Sequence, residues 1–140
     1  AGFALATLNE HLDRIGSRLN ALDTLFSGPI GLVGLLVAQS TSSQLQTDAN
    51  NLSVDLPEIG SALGQVLPGG LPGTIQTLPP VVNSVSISLI KPLLSLVSSL
   101  LAKLPGGSIP IPGSDPARVA VSELRTDLQA SRATLPPFCD

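Results

Sequence analysis

Catalysis needs a nucleophile or a proton carrier held beside a partner, and this chain carries few side chains of that kind. It has one histidine, His11, and one cysteine, Cys139. Its many Ser and Thr hydroxyls would need a neighbouring base to become nucleophiles, and His11 is the only imidazole. His11 sits beside Leu12 on the outer flank of a helical pattern, the position of an ordinary boundary residue. Asp48 and Asp55 are seven residues apart, which places two carboxylates on one helix face, the arrangement acid–base catalysis asks for. That face also carries the wet-side residues Gln44, Gln46, Asn50 and Asn51, so the pair reads as a solvated surface. Asp13, Asp23 and Asp127 are similarly peripheral. The Gly-rich stretches contain Pro and lack the Lys-Ser/Thr of a phosphate-binding loop, and no G-x-S-x-G occurs. No catalytic residue, metal site or cofactor is expected, and the chain reads as a non-enzyme.

The elements that carry these residues are built from an unusual composition. The 140 residues suit a single domain, residues 1–140. Hydrophobic residues make up 43% and charged residues 12%, about half the usual charged share. Mean hydropathy is +0.41. Such a chain can bury enough apolar surface to fold, so disorder along its length is excluded. Seven basic residues and a net charge of −3 leave no footprint for nucleic acid. Met, Trp and Tyr are absent and Phe occurs only at 3, 26 and 138, so the core is aliphatic, mainly Leu. Leu-rich packing without aromatic anchors specifies shape loosely and suits an adaptable interior.

Periodicity predicts an all-α, antiparallel bundle of four or five helices joined by Pro/Gly-rich loops, with helices near 3–27, 30–56, 57–67, 78–104 and 116–135. Leu5, Leu8, Leu12, Ile15, Leu19, Leu22 and Phe26 alternate spacings of three and four, one apolar stripe on the first helix. Gly28-Pro29 ends it. The second helix opens with Ile30 to Val37, apolar on all sides, the signature of burial or of an apolar partner. Pro57 predicts a kink or a restart, because Leu56, Ile59, Leu63 and Val66 keep helical spacing across it. Residues 68–73 read as a loop, and Thr77 as the N-cap of the next helix. On that helix Leu78, Val82, Val85, Leu89, Leu93, Leu96, Leu100 and Leu104 form the expected main stripe, Val81, Ile90, Leu94, Val97 and Leu101 widen it to more than half the circumference, and the remainder is largely Ser, at Ser84, Ser86, Ser88, Ser95, Ser98 and Ser99. Pro92 removes the bond to the Ser88 carbonyl and predicts a bend. Asp115 caps the last helix, Pro116 takes its first position, and Leu135-Pro136-Pro137 stops it.

Residues 81–104 are long enough to span a membrane, but Lys91 costs about 3 kcal/mol near the centre of such a span and Pro92 lies beside it. A central helix of a bundle is the better reading, and no transmembrane span is expected. Between residues 68 and 113 the only charges are Lys91 and Lys103. A domain of this size cannot hide so much Leu in its own core. Surplus apolar surface goes to a ligand cavity, to an interface with lipid or air, or to a partner chain, including a homodimer. Asn51-Leu52-Ser53 is a possible N-glycosylation sequon, relevant only in a secreted protein. The opening Ala-Gly fits a trimmed initiator Met or a removed signal peptide, and Cys139 fits an exposed tail.

The segment Leu12 to Thr24 (LDRIGSRLNALDT), Gly31-Leu32, Leu45 to Asn51 (LQTDANN), the helix Leu89 to Leu104 and the run Ser122 to Leu128 (SELRTDL) together resemble the secreted fungal family of hydrophobic surface-binding protein A and cell-wall galactomannoproteins. The resemblance implies an all-helical domain, extracellular or in the cell wall, with an apolar tunnel that takes a fatty acid or other hydrophobic small molecule, or a domain that adsorbs to hydrophobic surfaces. Its Pro-Gly-Gly loops, Pro92 and Cys139 depart from the family pattern. For a cavity between helices, the stripes of three helices nominate Leu22, Phe26, Val33, Leu36, Leu89, Leu93, Leu96 and Leu100 as lining. The leading expectation is a secreted, non-enzymatic binder of lipid-like ligands in such a cavity. A surface-active protein and an oligomeric structural domain are the alternatives.

Overall fold

The structure is a computed structural model and describes residues 2–67, 69–104, 106–111 and 113–135. Cys139, Phe138 and the Pro136-Pro137 stop lie outside the described residues. The chain forms an all-α bundle. Helix α1 spans Gly2–Phe26 and α2 spans Leu32–Gly64. A single turn, α3, spans Gly73–Gln76 and is followed by α4, Leu78–Val85. A π-helical turn, Ser86–Ile90, joins α4 to α5, Lys91–Ala102. Helix α6 spans Pro116–Ala133.

The α1 stripe is fully buried from Leu5 to Phe26. Each such Leu withdrawn from water contributes about 1.5–3 kcal/mol, which is why this helix anchors the core. It lies between α2 and α6, and α2 in turn packs against α4 and α5. The far end of α6 rests on α3 and α4, where the Thr74 and Ser131 hydroxyls are hydrogen-bonded. Between α1 and α2, Ile30 exchanges two backbone hydrogen bonds with Ile109, at 2.8 and 2.9 Å. That bridge ties the start of α2 to the loop after α5. Gly106, at a φ of 79°, turns the chain out of α5, a conformation that disfavours side-chain-bearing residues.

Several local expectations are corrected. Helical structure continues across Pro57, as its flanking spacing predicts, but without a restart: α2 is one element through it. The proline is exposed, so the Ser53 carbonyl it deprives of a donor is on the wet side, while Leu52, Ile59 and Leu63 stay buried. Thr77 stands at the N-cap position of α4, as expected, but its side chain does not cap the helix. Its backbone is helical, and its hydroxyl donates back to the Gly73 carbonyl at 3.0 Å, linking α3 to α4. Asp115 does cap α6, accepting from the Ala117 amide at 2.8 Å, with Pro116 at the first position.

The largest correction concerns the helix from 78 onward. Ahead of Pro92, the backbone widens into the π turn, and the Lys91 amide donates to the Ser86 carbonyl, five residues back. The wider turn makes room for the proline ring, which would otherwise meet the carbonyl four residues earlier. One residue is thereby added to the turn, and the inward face shifts phase. The buried row runs Leu78, Val82, Ser86, Ile90, Leu94, Val97 and Leu101, with Leu93 beside it. Ile90, Leu94, Val97 and Leu101, expected at the edge of the stripe, are thus its buried centre, while of the expected main row beyond Val82 only Leu93 is buried, Leu96, Leu100 and Leu104 are exposed and Val85 and Leu89 half-buried.

Candidate functional site

The eight nominated lining residues do not converge on one space. Leu22, Phe26 and Leu93 are buried within the continuous core, and Leu89 packs against its edge. Val33 and Leu36 are 76% and 57% exposed on α2, and Leu96 and Leu100 are 58% and 40% exposed on α5. The α2 pair is outside because only one side of its apolar opening is packed, through Leu35 and Ala38. The α5 pair is outside because of the π-turn phase shift. Clefts of about 540 and 280 Å³ lie along α6 and are lined by charged and polar groups such as Asp23, Arg118 and Glu123, or Asp13, Arg125 and Arg132. A third, of about 480 Å³, lies between α2 and the loop before α3. A fourth, of about 280 Å³, lies between α2 and α5. None of the four is lined by any of the eight.

Instead, the molecule is divided by charge. No charged residue occurs between Asp23 and Asp48, and only Lys91 and Lys103 occur between Glu58 and Asp115. Helices α2 and α5 pack against each other, and the stretch from Gln39 to Gln46 of α2 shares a cleft with Lys91, Leu94 and Ser95 of α5. The first half of α2 and all of α5 carry no carboxylate, and exposed aliphatic side chains stand on both, Leu32, Val33, Leu36 and Val37 on α2 and Leu96, Leu100 and Leu104 on or just beyond α5. The helical stretch Leu78–Ala102 is long and apolar enough to cross a membrane, and 33% of its most apolar window is buried. Core helices of soluble proteins pass the same length and composition test.

The charged groups gather on α1, the second half of α2, and α6. Asp48 and Asp55 are not a solvated face. Arg18 donates from Nε to Asp48 at 3.2 Å, and His11 Nε2 lies 2.7 Å from an Asp55 carboxylate oxygen. Asp48 is only 8% exposed, and His11 is buried rather than on an outer flank. The two pairs repeat after one heptad on both helices, so they fix the antiparallel register of α1 and α2. Arg132 reaches Asp13 at 2.7 Å and Arg125 reaches Asp23 at 2.9 Å, tying α6 to α1. The spacing of His11 to Arg18 and of Asp55 to Asp48 was the available sign, though only pairing reveals it. His11 contacts a carboxylate without a hydroxyl nucleophile among its hydrogen-bond partners in the described residues.

Three buried polar atoms have no partner among the described residues, Ser86 Oγ, Asn83 Oδ1 and Arg118 Nε. Regular spacing puts Ser86 on the wet side, whereas the π turn carries it into the core, fully buried. Asn83 spends its amide on Asn50 Oδ1 of α2 at 3.0 Å. Comparison of the chain with family models, with curated proteins and with solved structures finds no match.

Proposed function

We propose that this chain is a non-enzymatic protein that adsorbs to hydrophobic and lipid-like matter through the outer side of α2 and α5. One observation carries the reading: the aliphatic side chains at Val33, Leu36, Leu96 and Leu100 are exposed on stretches of α2 and α5 whose sequence lacks carboxylates. Burying a Leu or Val side chain against an apolar surface gains about 1.5–3 kcal/mol when it starts fully exposed, and less in proportion when half-exposed. Several such residues on one side suffice for reversible adsorption. The opposite side, laced with ion pairs, keeps the adsorbed molecule wetted. The family resemblance favours the same reading and an extracellular or cell-wall setting.

This puts the hydrophobe on the surface of the bundle rather than in an internal cavity. The test is adsorption to an alkyl-coated surface, together with the decay of surface tension at an air–water interface. The wild-type chain is expected to adsorb and to lower the tension, and the double variant V33D/L36D to do both far more weakly. Equal adsorption by the variant defeats the reading. A fatty acid co-purifying in native mass spectrometry, retained by the variant, would return the hydrophobe to the interior.

A further inference from the structure

The side that lacks carboxylates still carries two charges of one sign, and their placement is selective. Lys91 stands in the cleft of about 280 Å³ between α2 and α5, among Gln39, Ser43, Gln46 and Ser95. Every polar group in that lining is neutral or cationic, and among the described residues neither Lys91 nor Lys103 pairs with a carboxylate. The cleft therefore presents an ammonium and several neutral donors without any group that repels an anion.

The apolar residues continue from the same cleft. On α2 the flank facing α5 reads Leu32, Leu36, Gln39, Ser43 and Gln46, alternating spacings of four and three, so its polar half flanks Lys91 and its apolar half points toward the start of the helix. On α5 the facing row is Lys91, Ser95, Ser98 and Ala102, small after the lysine. The helices are antiparallel, since Asn50 of α2 meets Asn83 upstream of α5, so Leu36 and Leu32 lie toward the Ala102 end. Lys103 follows at that end. The two lysines are twelve residues apart, about 18 Å along the helix axis at 1.5 Å per residue, in a stretch whose other residues are apolar or hydroxylic.

We infer that this side docks on a lipid surface bearing anionic headgroups, with a headgroup phosphate or carboxylate seated at Lys91 and a second near Lys103. The inference rests on the adsorption proposed above and adds its partner. It is also counterintuitive for the whole chain. The net charge is −3, and a molecule of that charge spread evenly would be repelled by an anionic surface. Among the described residues the acidic groups are held on α1, the second half of α2, and α6 with its cap Asp115, and the charges on the carboxylate-free stretches of α2 and α5 are cations. A preference for anionic lipid thus reports the face, not the molecule.

The experiment is co-sedimentation of the full chain with vesicles of phosphatidylcholine alone and of phosphatidylcholine mixed with phosphatidylglycerol, at low and high salt. Wild type is expected to bind the mixed vesicles more tightly, and the excess to vanish at high salt. K91Q and K103Q should each weaken binding to the mixed vesicles about five-fold, from the usual worth of one surface-bound lysine, without changing binding to the neutral ones. R14Q removes the same charge from the exposed flank of α1 and should change neither. Both lysines are exposed, so circular dichroism and thermal unfolding of the variants should match wild type. Equal binding of wild type to both vesicle types overturns the inference while leaving adsorption standing, and so does a loss in R14Q as large as in K91Q. Failure to bind vesicles, alkyl surfaces and the air–water interface alike sinks the adsorption reading and this inference with it.

Discussion

At the scale of single residues, the informative positions are those whose surroundings contradict their type. Asp48 is nearly buried and depends on Arg18. Removing one partner leaves the other charge poorly solvated, so R18A should lower unfolding free energy by about 1–3 kcal/mol, read from the midpoint of urea denaturation. A change within 0.5 kcal/mol, the range of about ±0.5 expected for a surface site, would show the pair to be an ordinary surface contact. Ser86 poses the opposite case. A buried hydroxyl without a partner costs about 1–3 kcal/mol, so S86A should be neutral or stabilising in thermal unfolding. A marked loss would mean that the hydroxyl finds a partner in solution, such as an ordered water. Spacing assigned the wrong surroundings to His11, Asp48, Asp55 and Ser86 alike. Exposure of a polar residue depends on what packs against it, and a single helical wheel contains no information about the neighbouring helix.

At the scale of elements, the two prolines act differently although both lie within helical sequence. Pro57 sits on an exposed face of a continuous helix, where it leaves a carbonyl to water and adds nothing to packing. Replacing it by Ala restores the missing hydrogen bond and a better helix former. P57A should raise unfolding free energy by about 1–2 kcal/mol, after allowing about 0.4–1 kcal/mol for the greater freedom of the unfolded chain. A drop in denaturation midpoint would show that Pro57 shapes α2 in a way the packing needs. Pro92, by contrast, follows a π turn that resets the face of everything beyond it. The regular α1 stripe was legible because nothing interrupts it, and Asp115-Pro116 was legible because capping is a local bargain between one side chain and one amide. The broad stripe of the helix beyond Val82 was legible, but not which part of it turns inward, because one extra residue in a turn rotates each later side chain by about 100° at 3.6 residues per turn.

For the whole molecule, stability and adsorption should separate. Core truncation at Phe26, fully buried, should cost about 3–5 kcal/mol in F26A. The exposed L36A should cost little stability, within about 0.5 kcal/mol, yet weaken adsorption to an alkyl surface. If L36A destabilised the fold as F26A does, Leu36 would belong to the core and the adsorbing side would lose its main support. The separation follows from the division of charge: ion pairs bind α1, α2 and α6 together, while among the described residues no ion pair joins α2 to α5, and both carry exposed aliphatic groups.

Composition and periodicity were enough to establish an aliphatic, all-helical bundle, its loops, its capped last helix and an apolar excess with no chemistry to accompany it. These follow from local propensity and from counting, which need no knowledge of neighbours. Where the excess is displayed was decided by tertiary packing. Four of the nominated side chains were expected to face a cavity and instead face water, because α2 packs on one side only and the π turn before Pro92 advances the buried face by one residue. A helix repeats its pattern whatever surrounds it, but only its contacts choose which part of that pattern becomes interior.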